Sequence, residues 1–272
     1  VVVTDREAGL WTDGRYFIQA ENQLKDTGIT LYKNGLEGVP SIKQFITDKM
    51  RSDEEGGEKR SKVLGFDGRC VSFTWAADMK ESIAGVNGRM VSDVDLVGDI
   101  WDERPVLKSE PVMCLDVKYA GESREDKIKK LREYMKSKRA DYHVLTSLDD
   151  IAWLLNIRGN DIHCNPVVMS YLVAGMNEII IFADESAFDE DVKNELAGVG
   201  VSFRGYNEIY DFVGKFKKGS RVMLDKGIVN YAVTAAIPED AVIINEVNPT
   251  MKWKAVKNKT EVENERAAHI KD

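Results

Sequence analysis

One α/β pattern occurs twice along this chain of 272 residues. That duplication narrows the possible folds more than any single motif, because self-similarity at a long period means one supersecondary unit used again. VVVTDREAGLWTDGRYF (1–17) resembles YLVAGMNEIIIFADESAF (171–188): an apolar strand, a polar turn, a second apolar strand, then an Asp. Leu10-Trp11-Thr12-Asp13 matches Ile181-Phe182-Ala183-Asp184. Helix-like stretches follow at 19–27 (QAENQLKDT) and 189–199 (DEDVKNELAGV). Short strands come next, GITL (28–31) and GVSF (200–203), each opened by a helix-ending glycine. Amphipathic helices at 39–50 and 206–216 lead into strands that run to an Asp, KVLGFDG (62–68) and RVMLDKG (221–227). Each copy closes near a tryptophan, Trp101 or Trp253. The first copy alone carries RSDEEGGEKR (51–60), whose charges and glycines predict a surface loop.

The second copy has an upstream part, about 115–170, that the first lacks. It reads as a strand (CLDVKYAG), a charged helix (REDKIKKLREYMKSKR), a strand (YHVLTS) and a short helix with an apolar run (LDDIAWLLNIRG). By duplication, a comparable stretch is expected ahead of Val1. The chain opens on an uncapped apolar strand. It closes on KTEVENERAAHIKD (259–272), a helix with Thr260 as its expected N-cap and Glu263 as capping partner. The polypeptide is therefore expected to be cut at both ends. Two prolines in ERPVLKSEPVM (103–113) mark the boundary between copies. The expected division is 1–108 and 109–256 as two domains and 257–272 as the first helix of a third. Strands alternating with helices predict the α/β class. Hairpins at 1–13 and 171–183 add antiparallel pairs, so the sheets should be mixed and flanked by helices.

The formal net charge of −8 argues against nucleic acid or an anionic membrane as the main partner. No apolar run approaches the length of a membrane span. Cys70, Cys114 and Cys164 are scattered and form no CxxC pair, which fits buried thiols in a reducing compartment such as the cytoplasm. The His163-Cys164 adjacency alone is a weak zinc signal. No nucleophile elbow, Walker loop, GxGxxG or HExxH occurs. Asp149-Asp150 reads as a helix cap. Asp161 and His163 read as groups that shape the loop before Pro166, and Trp153, Leu154 and Leu155 as core. Arg15 and Arg158 each follow an apolar segment and sit beside a glycine. A planar guanidinium suits bidentate carboxylate binding, but on the residues alone a structural ion pair is the more common use of such an arginine.

LWTDGRYFIQAENQL (10–24) resembles the closing hairpin of the first domain of three-domain Xaa-Pro aminopeptidases. LDDIAWLLNIRGNDIHCNPVVMSYLVAG (148–175) resembles their second domain, and NPTMKWKAVKNKTEVENERAAHIKD (248–272) looks like the junction into their catalytic domain. The resemblance implies two tandem creatinase-like N-terminal domains followed by a pita-bread catalytic domain. It implies a hydrolase that removes the N-terminal residue preceding proline from a peptide. Two divalent metal ions, typically manganese, would activate water there. In the family their ligands lie in the third domain, so the resemblance implies no catalytic residue, metal ligand or cofactor in this chain. It further implies that Arg15, within an intact WTDGRY, contacts the bound peptide across a homodimer. Arg158 receives no role from it. The second domain copy argues against a prolidase or creatinase. The alternative is a stand-alone creatinase-like module that binds peptides or proteins without catalysis.

Overall fold

The computed structural model describes residues 1–51 and 62–272. Apart from Arg51, the charged insertion at 51–60 lies outside the described residues. The chain forms two compact units. Unit 1 comprises Val1–Phe66 and Trp75–Val91; unit 2 comprises Asp67–Thr74 and Ser92–Asp272.

Unit 1 is built from β1 (Val2–Val3), β2 (Ala8–Thr12), α1 (Phe17–Leu24), β3 (Ile29–Lys33), α2 (Ile42–Arg51), β4 (Val63–Gly65), α3 (Phe73–Ala84, in this unit from Trp75 onward) and β5 (Arg89–Val91). β1 pairs antiparallel with β2, and β2 parallel with β3. β4 and β5 form a separate parallel pair. The core sits under Phe45, Ile46, Met79 and Ile83, joined by Trp11 and Tyr32. Trp11 stacks on Tyr32 with centroids 4.2 Å apart, and Phe45 meets both rings edge-on. Gly9 makes this stack possible, since a Cβ there would lie 2.6 Å from the Tyr32 ring.

Unit 2 begins with β6 (Met113–Cys114), α4 (Val117–Ala120), α5 (Arg124–Lys138), β7 (Tyr142–Leu145), α6 (Leu148–Leu155) and β8 (Ile157–Arg158). It continues through β9 (Tyr171–Gly175), β10 (Ile179–Phe182), α7 (Glu190–Ala197), β11 (Val201–Arg204), α8 (Glu208–Val213), β12 (Arg221–Leu224), α9 (Tyr231–Ala236) and β13 (Val242–Asn245). α10 (Pro249–Ala255) and α11 (Lys259–Lys271) close it. The main sheet has six strands in the order β11-β10-β9-β7-β12-β13. β9 is antiparallel to both neighbours and the remaining pairs are parallel. Alternate side chains enter two cores. Leu145, Leu172, Ile181 and Met223 meet Leu131, Ile151 and Leu154 from α5 and α6. Val144, Val173, Phe182 and Val222 meet Ile209, Val213 and Val233 from α8 and α9. Burial on both faces explains the unbroken apolar run of β10.

The expected mixed α/β architecture is present, and the repeat extends to pairing sense. β1 to β5 correspond in order to β9, β10, β11, β12 and β13, antiparallel and parallel contacts alike. Gly28 and Gly200 both have φ of +78°, a conformation that favours glycine. Three local readings change. Of CLDVKYAG only Cys114, at the end of β6, is strand; Asp116 accepts from the Lys118 N–H (2.8 Å) and starts α4, which Gly121 ends at φ +70°. α11 is capped by Asn258 and Glu261 rather than Thr260 and Glu263, with reciprocal bonds of 2.9 Å. Cys70 and Cys164 are exposed and only Cys114 is partly buried, so the cysteines are not a set of core thiols.

Candidate functional site

The WTDGRY turn lies in unit 1, where β2 hands over to α1. Asp13 Oδ1 accepts from the Arg15 backbone N–H (3.0 Å), which turns the chain. The same carboxylate takes the Arg15 side chain side-on, Nε to Oδ1 and Nη2 to Oδ2, both 2.9 Å. These bonds hold Asp13 down to about 2. The Tyr16 ring lies beside the guanidinium, 5.6 Å from centroid to Cζ. The Arg15 side chain is nonetheless 79% exposed. At the matching step of unit 2, Asp184 Oδ1 accepts from the Ser186 N–H (3.0 Å). The turn therefore needs the aspartate, and the arginine is additional. Asp13 fixes the plane of an exposed fork whose remaining N–H donors are uncommitted to it. Such a fork can bind a carboxylate or peptide carbonyl from solvent.

Arg158 is a different case. Its Nη1 donates to the carbonyls of Ala152 (3.0 Å) and Ile157 (2.8 Å), closing the end of α6. Burial lowers its pKa. In the loop that follows, Asp161 accepts from the Glu110 N–H (2.7 Å) and the Met169 N–H (2.6 Å), the loop-shaping role expected of it. His163 and Cys164 are exposed. Trp153, Leu154 and Leu155 are buried.

Asp149 and Asp150 do not cap α6. Ser147 occupies the cap position, and both carboxylates lie in the first turn, where the helix dipole favours them. They tie α6 to α10 instead. Lys254 pairs with Asp149 and, at 3.2 Å, with buried Asp150. Asn248 donates to Asp150 (3.3 Å) and to Ser147 (3.2 Å). Burial raises the Asp150 pKa.

Two features escaped sequence reasoning. Lys127 is 1% exposed. Its Nζ donates to Trp153 O (2.9 Å) and Asn156 Oδ1 (2.6 Å) and lies 4.1 Å from the Trp153 ring centroid. Burial lowers it to about 8. The signal was its spacing with Ile128, Leu131 and Met135 on the buried face of α5. The second is the seat of α11. Asn258 donates to Ala120 O (2.8 Å), and Asn264 to Tyr119 O (3.1 Å). Gly121 must stay small, because a Cβ would collide with the Asn258 side chain.

The repeat, the mixed sheets and the paired α/β units define a tandem domain of the creatinase N-terminal type. Two sequence profiles, both described as the creatinase/prolidase N-terminal domain, match residues 103–261 and 1–104. The chain belongs to that family. Among known proteins it is similar to an Xaa-Pro aminopeptidase of Caenorhabditis elegans, 35% identical over 279 residues, covering 100% of this chain and 44% of the relative. Xaa-Pro aminopeptidase 1 of Dictyostelium discoideum is 31% identical over 283 residues, covering 100% and 43%. The crystal structure of X-prolyl aminopeptidase from C. elegans superimposes with a TM-score of 0.87 at 35% identity, over 98% of this chain and 43% of that one. That protein is described as a cytosolic enzyme with a di-nuclear active site. The chain thus spans less than half the length of these relatives.

Proposed function

We propose that this chain forms the two N-terminal domains of a metal-dependent aminopeptidase that removes the residue preceding proline from peptides. The observation that carries this reading is the TM-score of 0.87 over 98% of the chain to an X-prolyl aminopeptidase. The proposed division is 1–108, 109–256 and 257–272, the last being the first helix of the catalytic domain. The two metal ions, manganese in the first instance, belong outside these residues. The residues present do not fit such a centre: among the described residues no group of three or more His, Cys, Asp or Glu side chains could hold a metal ion. On this reading bond cleavage falls to the catalytic domain.

The roles left to this chain are access and contact. Arg15 is the proposed substrate-binding residue, reaching a peptide bound at a homodimer partner's catalytic site. The support is its exposed, pre-oriented fork and the absence of a counterpart in unit 2. The stretch around Leu96, Val97, Ile100, Trp101, Val106 and Leu107 leaves large apolar side chains exposed, as oligomer contacts do. A cytoplasmic location is proposed because the C. elegans enzyme is described as cytosolic. Among the described residues no helix is long and apolar enough to cross a membrane.

The test is Arg15→Ala in the whole polypeptide that carries this chain. KM for an Xaa-Pro tripeptide should rise about tenfold or more, with bound metal unchanged. Wild-type kinetics in that variant would remove Arg15 from the site.

A further inference from the structure

The proposed function leaves Arg158 and the buried Lys127 without a role. Both acceptors of Lys127, Trp153 O (2.9 Å) and Asn156 Oδ1 (2.6 Å), are uncharged. An ammonium taken out of water needs a counter-charge within reach. Glu122 and Glu261 are the carboxylates whose fields reach it, opposed by Arg158 and Lys130. Glu122 stands beside the start of α5, and its backbone carbonyl accepts from Asn156 Nδ2 (2.9 Å). Glu261 comes from a different element, the first turn of α11. Its two oxygens are divided. Oε1 accepts from the Trp153 indole Nε1 (3.4 Å), and Oε2 from the Asn258 backbone N–H (2.9 Å). Lys127 holds Trp153 twice, by its carbonyl and by the ammonium 4.1 Å from the ring centroid. Arg158 Nη1 is committed to the carbonyls of Ala152 and Ile157, and Glu261 is the carboxylate whose field reaches its guanidinium.

We infer that Lys127, Trp153 and Arg158 form a socket for the Glu261 carboxylate, and that this socket sets where α11 sits. Lys127 and Arg158 are positioning residues in it. Lys127 fixes the Trp153 carbonyl and ring, the indole N–H meets Glu261, and Glu261 closes the cap of α11. Two cations and an indole N–H facing one carboxylate select a charged group over a neutral one. A capping box without the socket would behave differently. Its bond to the Asn258 N–H needs only an oxygen, and an uncharged glutamine supplies one. On the proposed division α11 opens the catalytic domain, so the socket would also fix the direction in which that domain begins. That consequence rests on the proposed function, and the socket itself does not.

The test is amide exchange along α11 (Lys259–Lys271) in the 272-residue chain. Glu261→Gln keeps an oxygen for the cap and removes the charge. It should speed exchange in α11 about fivefold while β7 and β9 stay unchanged. Lys127→Met should do the same, and both variants should move the Trp153 indole N–H resonance. The double variant should exchange no faster than the faster single one, because both changes remove one shared interaction. Should Lys127→Met fail to fold, Arg158→Gln takes its place in the cycle. Faster exchange confined to α11 and non-additive in the double variant supports the socket. Wild-type exchange of α11 in Glu261→Gln overturns it, since the cap alone would then seat the helix. Effects that multiply in the double variant overturn it as well, since Lys127 would then act on the packing of α5 against α6 and not through Glu261.

Discussion

Asp13 and Asp184 hold equivalent turns in the two units, and only the first is followed by an arginine. Because the Arg15–Asp13 pair is solvent-exposed, Arg15→Ala should leave the midpoint of urea unfolding unchanged. A clear loss of stability would mean that the residue serves the fold rather than a ligand. His143 is the reverse case. It is fully buried in β7, with Nδ1 3.1 Å from Met223 O, and burial lowers it from 6.5 to about 4 despite nearby Asp225. The native state holds this imidazole neutral, whereas the unfolded chain protonates it near 6.5. Stability should therefore fall as pH drops through 6.5 towards 4, by up to ~3 kcal/mol. His143→Leu should flatten that part of the profile of denaturation midpoint against pH; an unchanged slope would assign the loss to other groups. Lys127→Met would leave Trp153 O and Asn156 Oδ1 without their ammonium donor. Urea denaturation should register a cost of about 1–3 kcal/mol.

Among elements, α11 has no buried residue, so its polar seat decides where it lies. Asn258→Ala removes both the capping bond and the bond to Ala120. It should cost about 1 kcal/mol and speed amide exchange along α11; unchanged exchange would show that the helix is held elsewhere. The repeat itself was legible because strand and helix periodicity are local, and because Gly28 and Gly200 mark the same step. The cap of α11 was not. Thr260-x-x-Glu263 and Asn258-x-x-Glu261 fit the same pattern, and the choice is made by Ala120 O, 138 residues away. CLDVKYAG was misread for a similar reason. Its apolar residues suit a strand, but Asp116 and Gly121 supply the two ends of a short helix. Arg15 stood out because its turn recurs without it. Lys127 did not, since a lysine in the charged run REDKIKK reads as surface until Trp153 and Asn156 close over it.

Across the molecule the two units differ in how completely their sheets are built. β7 joins β9 to β12 in unit 2, whereas β1 and β4 in unit 1 lie in separate sheets. Amides of β1 and β4 should therefore exchange well before those of β7, β9 and β12. Similar protection in both sets would deny the asymmetry. On the proposed function, substrate contact and access fall to this chain and the chemistry falls elsewhere. The measurement that tests it most directly pairs two readings on the 272-residue chain: turnover of an Xaa-Pro tripeptide in the presence of manganese, and calorimetric binding of the same peptide. A chain that supplies only N-terminal domains should give no turnover and no micromolar binding. Turnover would place the catalytic groups within these residues, and micromolar binding without turnover would make the chain a peptide-binding module in its own right.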